Sequence, residues 1–110
     1  MSEGPAVARR QVEVLNVLGL HLRPALKFVE LALKYQAEVR IHYNGNDFNG
    51  KSILELTSLA AECGTRLDLE ARGPDAPAAV QALAELVSAQ FHEDENGEST
   101  EVDPSTEPAA

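Results

Sequence analysis

The sequence predicts an α+β domain. It is an open-faced β-sandwich in the order β-α-β-β-α-β-α, a four-stranded antiparallel sheet with three helices on one face. Three observations carry this expectation. Between Arg9 and Phe91 the apolar pattern switches repeatedly between a period of two and the helical period of about 3.6, and turn or cap residues mark each switch. Every strand segment is polar on one side, which suits a sheet covered on one face and wet on the other. The chain of 110 residues can bury one modest core but cannot form two lobes around a cleft, so a large multidomain enzyme is excluded.

Each element has its own warrant. Val12, Val14 and Asn16 alternate with Gln11, Glu13 and Leu15 in a first strand that Gly19 breaks. Pro24 is tolerated only in the first turn of a helix, and Ala25, Leu26, Val29, Ala32 and Leu33 recur beyond it at helical spacing. That helix is expected from about Leu22 to Tyr35. Ala37, Val39, Ile41 and Tyr43 then alternate with Glu38, Arg40 and His42. Asn44-Gly45 favours positive φ and predicts a tight hairpin into a short strand around Asp47 to Asn49. Ser52 is a good N-cap with Glu55 three residues on, as in a capping box, and Gly64 is expected to end this second helix near Cys63. In the fourth strand Leu67, Leu69 and Ala71 face in while Arg66, Asp68, Glu70 and Arg72 face out. Asp75 and Pro77 open a last helix striped by Val80, Leu83, Ala84 and Val87.

Charge and composition bound the function. The net charge of −9 argues against nucleic acid as a partner, because phosphate backbones need Lys and Arg on one face. Seven of the 18 acidic residues lie in 93–110, which leaves 11 against 9 basic residues elsewhere. This segment, rich in Glu, Ser, Thr and Pro, cannot bury enough surface to offset ordering, so 92–110 is expected to be a disordered acidic tail. Residues 1–8 are expected to be a flexible N-terminus, and 9–91 the folded domain. Apolar runs fall short of the roughly 20 residues that span a bilayer, and the N-terminus lacks the features of a secretory signal. A single cysteine, Cys63, forms no internal disulfide and suits a reducing compartment, so a cytoplasmic location is expected. His42 and His92 lack ligand spacing to another His or Cys, so no metal site and no cofactor are expected. Cys63 reads as a small buried hydrophobe.

The chemistry concentrates in Gly19-Leu20-His21-Leu22-Arg23-Pro24-Ala25. A neutral imidazole is a nucleophile that can accept a phosphoryl group on nitrogen. The resulting anion would lie at a helix N-terminus, where free N–H groups and the dipole favour negative charge and Arg23 can add a charge-assisted contact. On pattern alone, His21 reads either as this acceptor or as a plain helix cap.

Gly-Leu-His-Leu-Arg-Pro-Ala resembles the active-site motif of HPr, the histidine-containing phosphocarrier family of the phosphoenolpyruvate-dependent sugar phosphotransferase system. Tyr43-Asn44-Gly45, Gly50-Lys51-Ser52-Ile53, Ser58-Leu59, Gly64-Thr65 and Gly73 extend the resemblance in register over about residues 8–91. It implies that His21 is charged by Enzyme I and passes the group to a IIA domain, with no turnover by the chain alone. Arg23 and the backbone amides of Leu22 and Arg23 would stabilise the phosphoryl group. Ser52 matches a serine that an HPr serine kinase/phosphorylase modifies in some bacteria. Leu22 departs from the pattern, because a small or hydroxylic residue usually follows the histidine. The partner contacts are thereby put in doubt more than the chemistry. The resemblance implies a monomer, and its alternative is a regulatory phosphocarrier serving a nitrogen-related or signalling chain.

Ile53, Leu54 and Thr57 extend apolar character around the second helix beyond Leu56, Leu59, Ala60 and Cys63. With Leu22 they are expected to form a partner-binding patch beside His21, or else a wider core stripe. Gly45 to Ser52 also satisfies the P-loop pattern G-x-x-x-x-G-K-S. A P-loop needs a buried parallel sheet, whereas Leu67 to Glu70 alternates as a one-sided strand does, so a nucleotide binder stands only as the remote alternative.

Overall fold

A computed structural model describes residues 6–16 and 19–92. The expected acidic segment from 93 onward, and residues 1–5 of the expected N-terminal extension, lie outside them. The described residues form β1 (Val7–Glu13), α1 (Leu22–Ala32), β2 (Glu38–Tyr43), β3 (Asn46–Asn49), α2 (Ile53–Leu59), β4 (Arg66–Arg72) and α3 (Ala76–Ser88), in the expected order. β1 starts at Val7, so residues 7 and 8 belong to the sheet and not to a flexible 1–8 segment. A short 3-10 turn at Gln90–His92 follows α3 and buries Phe91.

The sheet order is β1-β4-β2-β3 with every neighbour antiparallel. Alternation decides its faces. Val12, Val39, Ile41, Leu67 and Leu69 point to the helices and pack with Phe28, Val29, Leu56 and Leu83, while the opposite face carries the charged residues. Asn44 and Gly45, at φ 56° and 82°, close the β2–β3 hairpin as a two-residue turn.

Two helices end sooner than their sequence pattern predicts. α1 stops at Ala32 instead of Tyr35. Its end tightens into i→i+3 bonds, Lys34 N–H to Leu31 O and Tyr35 N–H to Ala32 O, and the next two amides leave the helix. Gln36 and Ala37 N–H both donate to the Asp75 carboxylate at 2.8 Å, across the start of α3. α2 ends at Leu59, with Ala60 left-handed at φ 52°, four residues short of Cys63. The chain exits there because the Ala61 carbonyl accepts Leu20 N–H at 2.7 Å. Gly64, at φ 93°, shapes the turn into β4 and does not cap α2; its N–H donates to Val14 O. Cys63 and Ala60 are consequently exposed, and Cys63 is not the buried hydrophobe that the helical pattern suggests. Its Sγ lies 3.6 Å from Leu15 O.

Candidate phosphoryl-transfer site

His21 is the N-cap of α1, with extended backbone (φ −90°, ψ −170°), and its side chain makes no capping bond to the first turn. Its carbonyl accepts Ala25 N–H at 3.0 Å and closes that turn. The Leu22 and Arg23 N–H groups have no helix carbonyl within reach, and Pro24 has no N–H at all. Two amides are thus left without a helix carbonyl in the turn that begins at His21. None of the residues in this turn is acidic, so no carboxylate of the turn itself occupies the positive end of the helix.

The turn opens onto a hollow of about 320 Å³ lined by Leu20, His21, Leu22, Thr57, Ala60, Ala61 and Glu62. α1 supplies one wall and the C-terminal end of α2 the other. The structure therefore brings Thr57 and Leu22 to His21, as the apolar patch requires. Leu22 is 63% exposed and Leu54 76% exposed. Ile53 packs partly against the core, and neither it nor Leu54 lines the hollow. The Thr57 hydroxyl donates back to the Ile53 and Leu54 carbonyls.

Ser52 caps α2 as expected, its Oγ accepting Glu55 N–H at 3.2 Å. The capping box is only half made, because the Glu55 carboxylate accepts Asn49 N–H instead of Ser52 N–H, which goes to Asn49 O. The P-loop-like segment has another geometry altogether. Gly45 belongs to the hairpin turn, and a Cβ on Gly50 would lie 2.5 Å from Val39 Cγ1, so this glycine serves close packing. Lys51 Nζ donates to Tyr35 O at 2.7 Å.

A larger hollow, about 500 Å³, lies on the open face of the sheet, over Arg9, Gln11, His42, Asp68 and Glu70. Its charges are bound to one another. Glu70, only 5% exposed, accepts from His42 Nε2 at 2.6 Å and Arg72 Nε at 2.8 Å, with Arg9 at 3.6 Å. His42 Nδ1 meets Asp47 at 2.5 Å. Among the described residues no group of three or more His, Cys, Asp or Glu could hold a metal ion.

Sequence reasoning missed the loop that carries His21. Asn16 is buried there with its side-chain amide donating to Gly19 O at 2.6 Å. The available signal was a polar residue in the inward phase of the first strand, after Val12 and Val14.

Fold and site together define a small α+β domain that sets an imidazole at the N-terminus of a helix, beside a hollow between two helices. A protein-family model described as "PTS HPr component phosphorylation site" matches residues 8–89. Phosphocarrier protein HPr of Neisseria meningitidis serogroup A is 40% identical over 87 residues, covering 79% of this chain and 98% of the relative. Phosphocarrier protein NPr of Klebsiella oxytoca is 37% identical over 87 residues, covering 78% and 97%. The crystal structure of HPr-C-His from Thermoanaerobacter tengcongensis superposes with a TM-score of 0.76 at 33% identity, covering 79% of this chain and 98% of that one. The chain belongs to the HPr family of phosphocarrier proteins of the phosphotransferase system. Members of this family carry a phosphoryl group and are not catalysts.

Proposed function

We propose that His21 accepts a phosphoryl group from Enzyme I charged by phosphoenolpyruvate and delivers it to a IIA domain of a sugar phosphotransferase system. A phosphorus–nitrogen bond forms at the imidazole as the bond to the donor breaks, and the reverse sequence hands the group on. The observation that carries this reading is the non-capping histidine at the start of α1, followed directly by the Leu22 and Arg23 amides that no helix carbonyl can take. Those N–H groups and the Arg23 guanidinium would meet the phosphoryl oxygens. Imidazole, amides and guanidinium lie in one turn of one chain, so the proposed relay needs no residue from a second copy; we take it to act as a monomer in the cytoplasm. Leu22, Ile53, Leu54 and Thr57 form the docking face, and Ser52 is the site at which an HPr serine kinase/phosphorylase would act.

Incubation with phosphoenolpyruvate and Enzyme I, followed by mass spectrometry, tests the proposal. One acid-labile phosphoryl group is expected on His21 and none on His21→Ala, with the fold retained. Normal labelling of that variant would remove His21 from the site. The NPr relative supports a second reading, a nitrogen-related chain. Preferential charging by a nitrogen-related Enzyme I over the sugar-system enzyme would favour it.

A further inference from the structure

Asn16 is wholly buried three residues beyond β1, where the sequence alternation of Val12 and Val14, continued, would put an apolar side chain. Buried amides are retained where their hydrogen bonds are made, and this one is committed to the loop before α1. Its Nδ2 donates to the Gly19 carbonyl at 2.6 Å, while Gly19 N–H donates back to the Asn16 carbonyl at 3.0 Å. The same Gly19 carbonyl accepts His21 N–H at 3.0 Å. One oxygen therefore ties the buried amide to the backbone of the histidine. From the other side, Leu20 N–H is held by Ala61 O at 2.7 Å. Gly19 is wedged against that carbonyl at φ +71°, where a Cβ would lie 2.4 Å from the oxygen. With Leu20 held by the Ala61 carbonyl, the Gly19 peptide is, among the described residues of the loop, a group that the Asn16 amide holds.

We propose that Asn16 is a positioning residue of the phosphoryl site: through the Gly19 carbonyl it fixes the His21 backbone, so that the imidazole and the Leu22 and Arg23 amides face one point. This rests on reading His21 as the phosphoryl acceptor. With its N–H occupied by Gly19, His21 stays extended and the helix begins at the next residue, which aims the two amides outward. Releasing the Gly19 carbonyl lets that peptide rotate and carries the ring away from the amides. A misplacement of about 1 Å at a transfer site slows transfer on the order of 100-fold.

Asn16→Ala and Asn16→Ser leave nearly the same cavity but differ in one hydroxyl donor. Val80→Ala, in the separate cluster with Ala37, Ala71, Ala76 and Ala79, controls for lost stability. Should Asn16→Ala fail to fold, Asn16→Leu, which refills the volume without a donor, replaces it. In the full-length chain, kcat for transfer from Enzyme I should fall about 10- to 100-fold in the donorless variant, with KM unchanged because the docking face is intact. Asn16→Ser should recover part of the rate, and Val80→Ala should leave it alone. The His21 imidazole resonances, followed by NMR through a pH titration, should shift in the donorless variant and not in Val80→Ala. Equal rates for the serine and donorless variants, or unmoved His21 resonances, would overturn the proposal. If the unmodified chain takes no phosphoryl group from Enzyme I, the functional reading fails instead, and the His21 resonances alone then decide for or against Asn16.

Discussion

His42 lies between two carboxylates on the open face of the sheet, and replacing it by glutamine should remove stability only where the imidazole is charged. The Asp47 hydrogen bond first, and then the Glu70 one, raise the His42 pKa above its ordinary 6.5. The His42 hydrogen bond first, then Arg72, lower that of Glu70 below 4.5. The two signs define a window. The His42 contribution is complete below about pH 6.5 and is lost as pH rises through its folded value, while the Glu70 contribution is complete above about pH 4.5 and is lost on acidification. A charge-assisted bond to the nearly buried Glu70 contributes about 1.5–3 kcal/mol, and the exposed Asp47 arm about 0.2–1 kcal/mol. His42 is itself one-third exposed, Arg72 and Arg9 still hold Glu70, and a neutral imidazole keeps one N–H donor. The part that depends on protonation is therefore about 1–2 kcal/mol, or roughly 5–10 °C in Tm for a domain of this size. Thermal melts of the wild type and His42→Gln from about pH 5.5 to about pH 9 measure it, and subtraction cancels the titrating groups that His42 does not touch, while Glu70 stays ionised across that range. The difference should shrink towards zero in the alkaline half. A difference that stays constant across the range would refute the reasoning.

Asp75→Ala removes the acceptor of Gln36 and Ala37 N–H, which together hold the Asp75 pKa below 3.8. Its Tm should lie below wild type at neutral pH, and melts in acid should converge as pH falls through the folded value of Asp75. Arg23→Ala should slow transfer from Enzyme I by about 10- to 100-fold, the equivalent of one charge-assisted bond of about 1.5–3 kcal/mol, measured by single-turnover quench; an unchanged rate removes Arg23 from the site. Ser52→Asp should keep its Tm, since aspartate also caps, and should be charged more slowly by Enzyme I, which we expect to meet Arg23 with acidic groups that new negative charge would repel. Ser52→Ala should lose about 1 kcal/mol in denaturant melts and keep its transfer rate.

The strands were legible because a sheet covered on one face writes its own period into the chain. Val39, Ile41, Leu67, Leu69 and Ala71 are buried where alternation put them, and Asn44-Gly45 closes the hairpin through its local preference for positive φ. Alternation assigns a face and not an exposure, however. Glu70 faces out as expected yet is buried, because His42, Arg72 and Arg9 close over it from two other positions in the sheet and from its own strand. Helix ends were less legible, since distant residues set them. α1 is drawn open by Asp75, nearly forty residues further on, and α2 by the Leu20 amide, so the periodicity that ran on to Tyr35 and Cys63 described side chains the helices never reach.

The same division runs through the site. A histidine, two emerging amides and an arginine within one turn need only α1 to begin at Leu22, and Pro24 announces that beginning, so the motif could be read locally. What orients the turn is spread over the chain: Asn16 from three residues beyond β1, Ala61 from beyond α2, and Gly19 as the residue small enough to lie between them. The left-handed Ala60 belongs to this frame, because it turns the Ala61 carbonyl towards Leu20, and an alanine in a helical run gives no sign of it. A carrier must offer its histidine to a donor and an acceptor in turn. Holding the loop from two sides by backbone and buried-amide bonds leaves the outer surface, Leu22 and Thr57 among it, available to whichever partner docks.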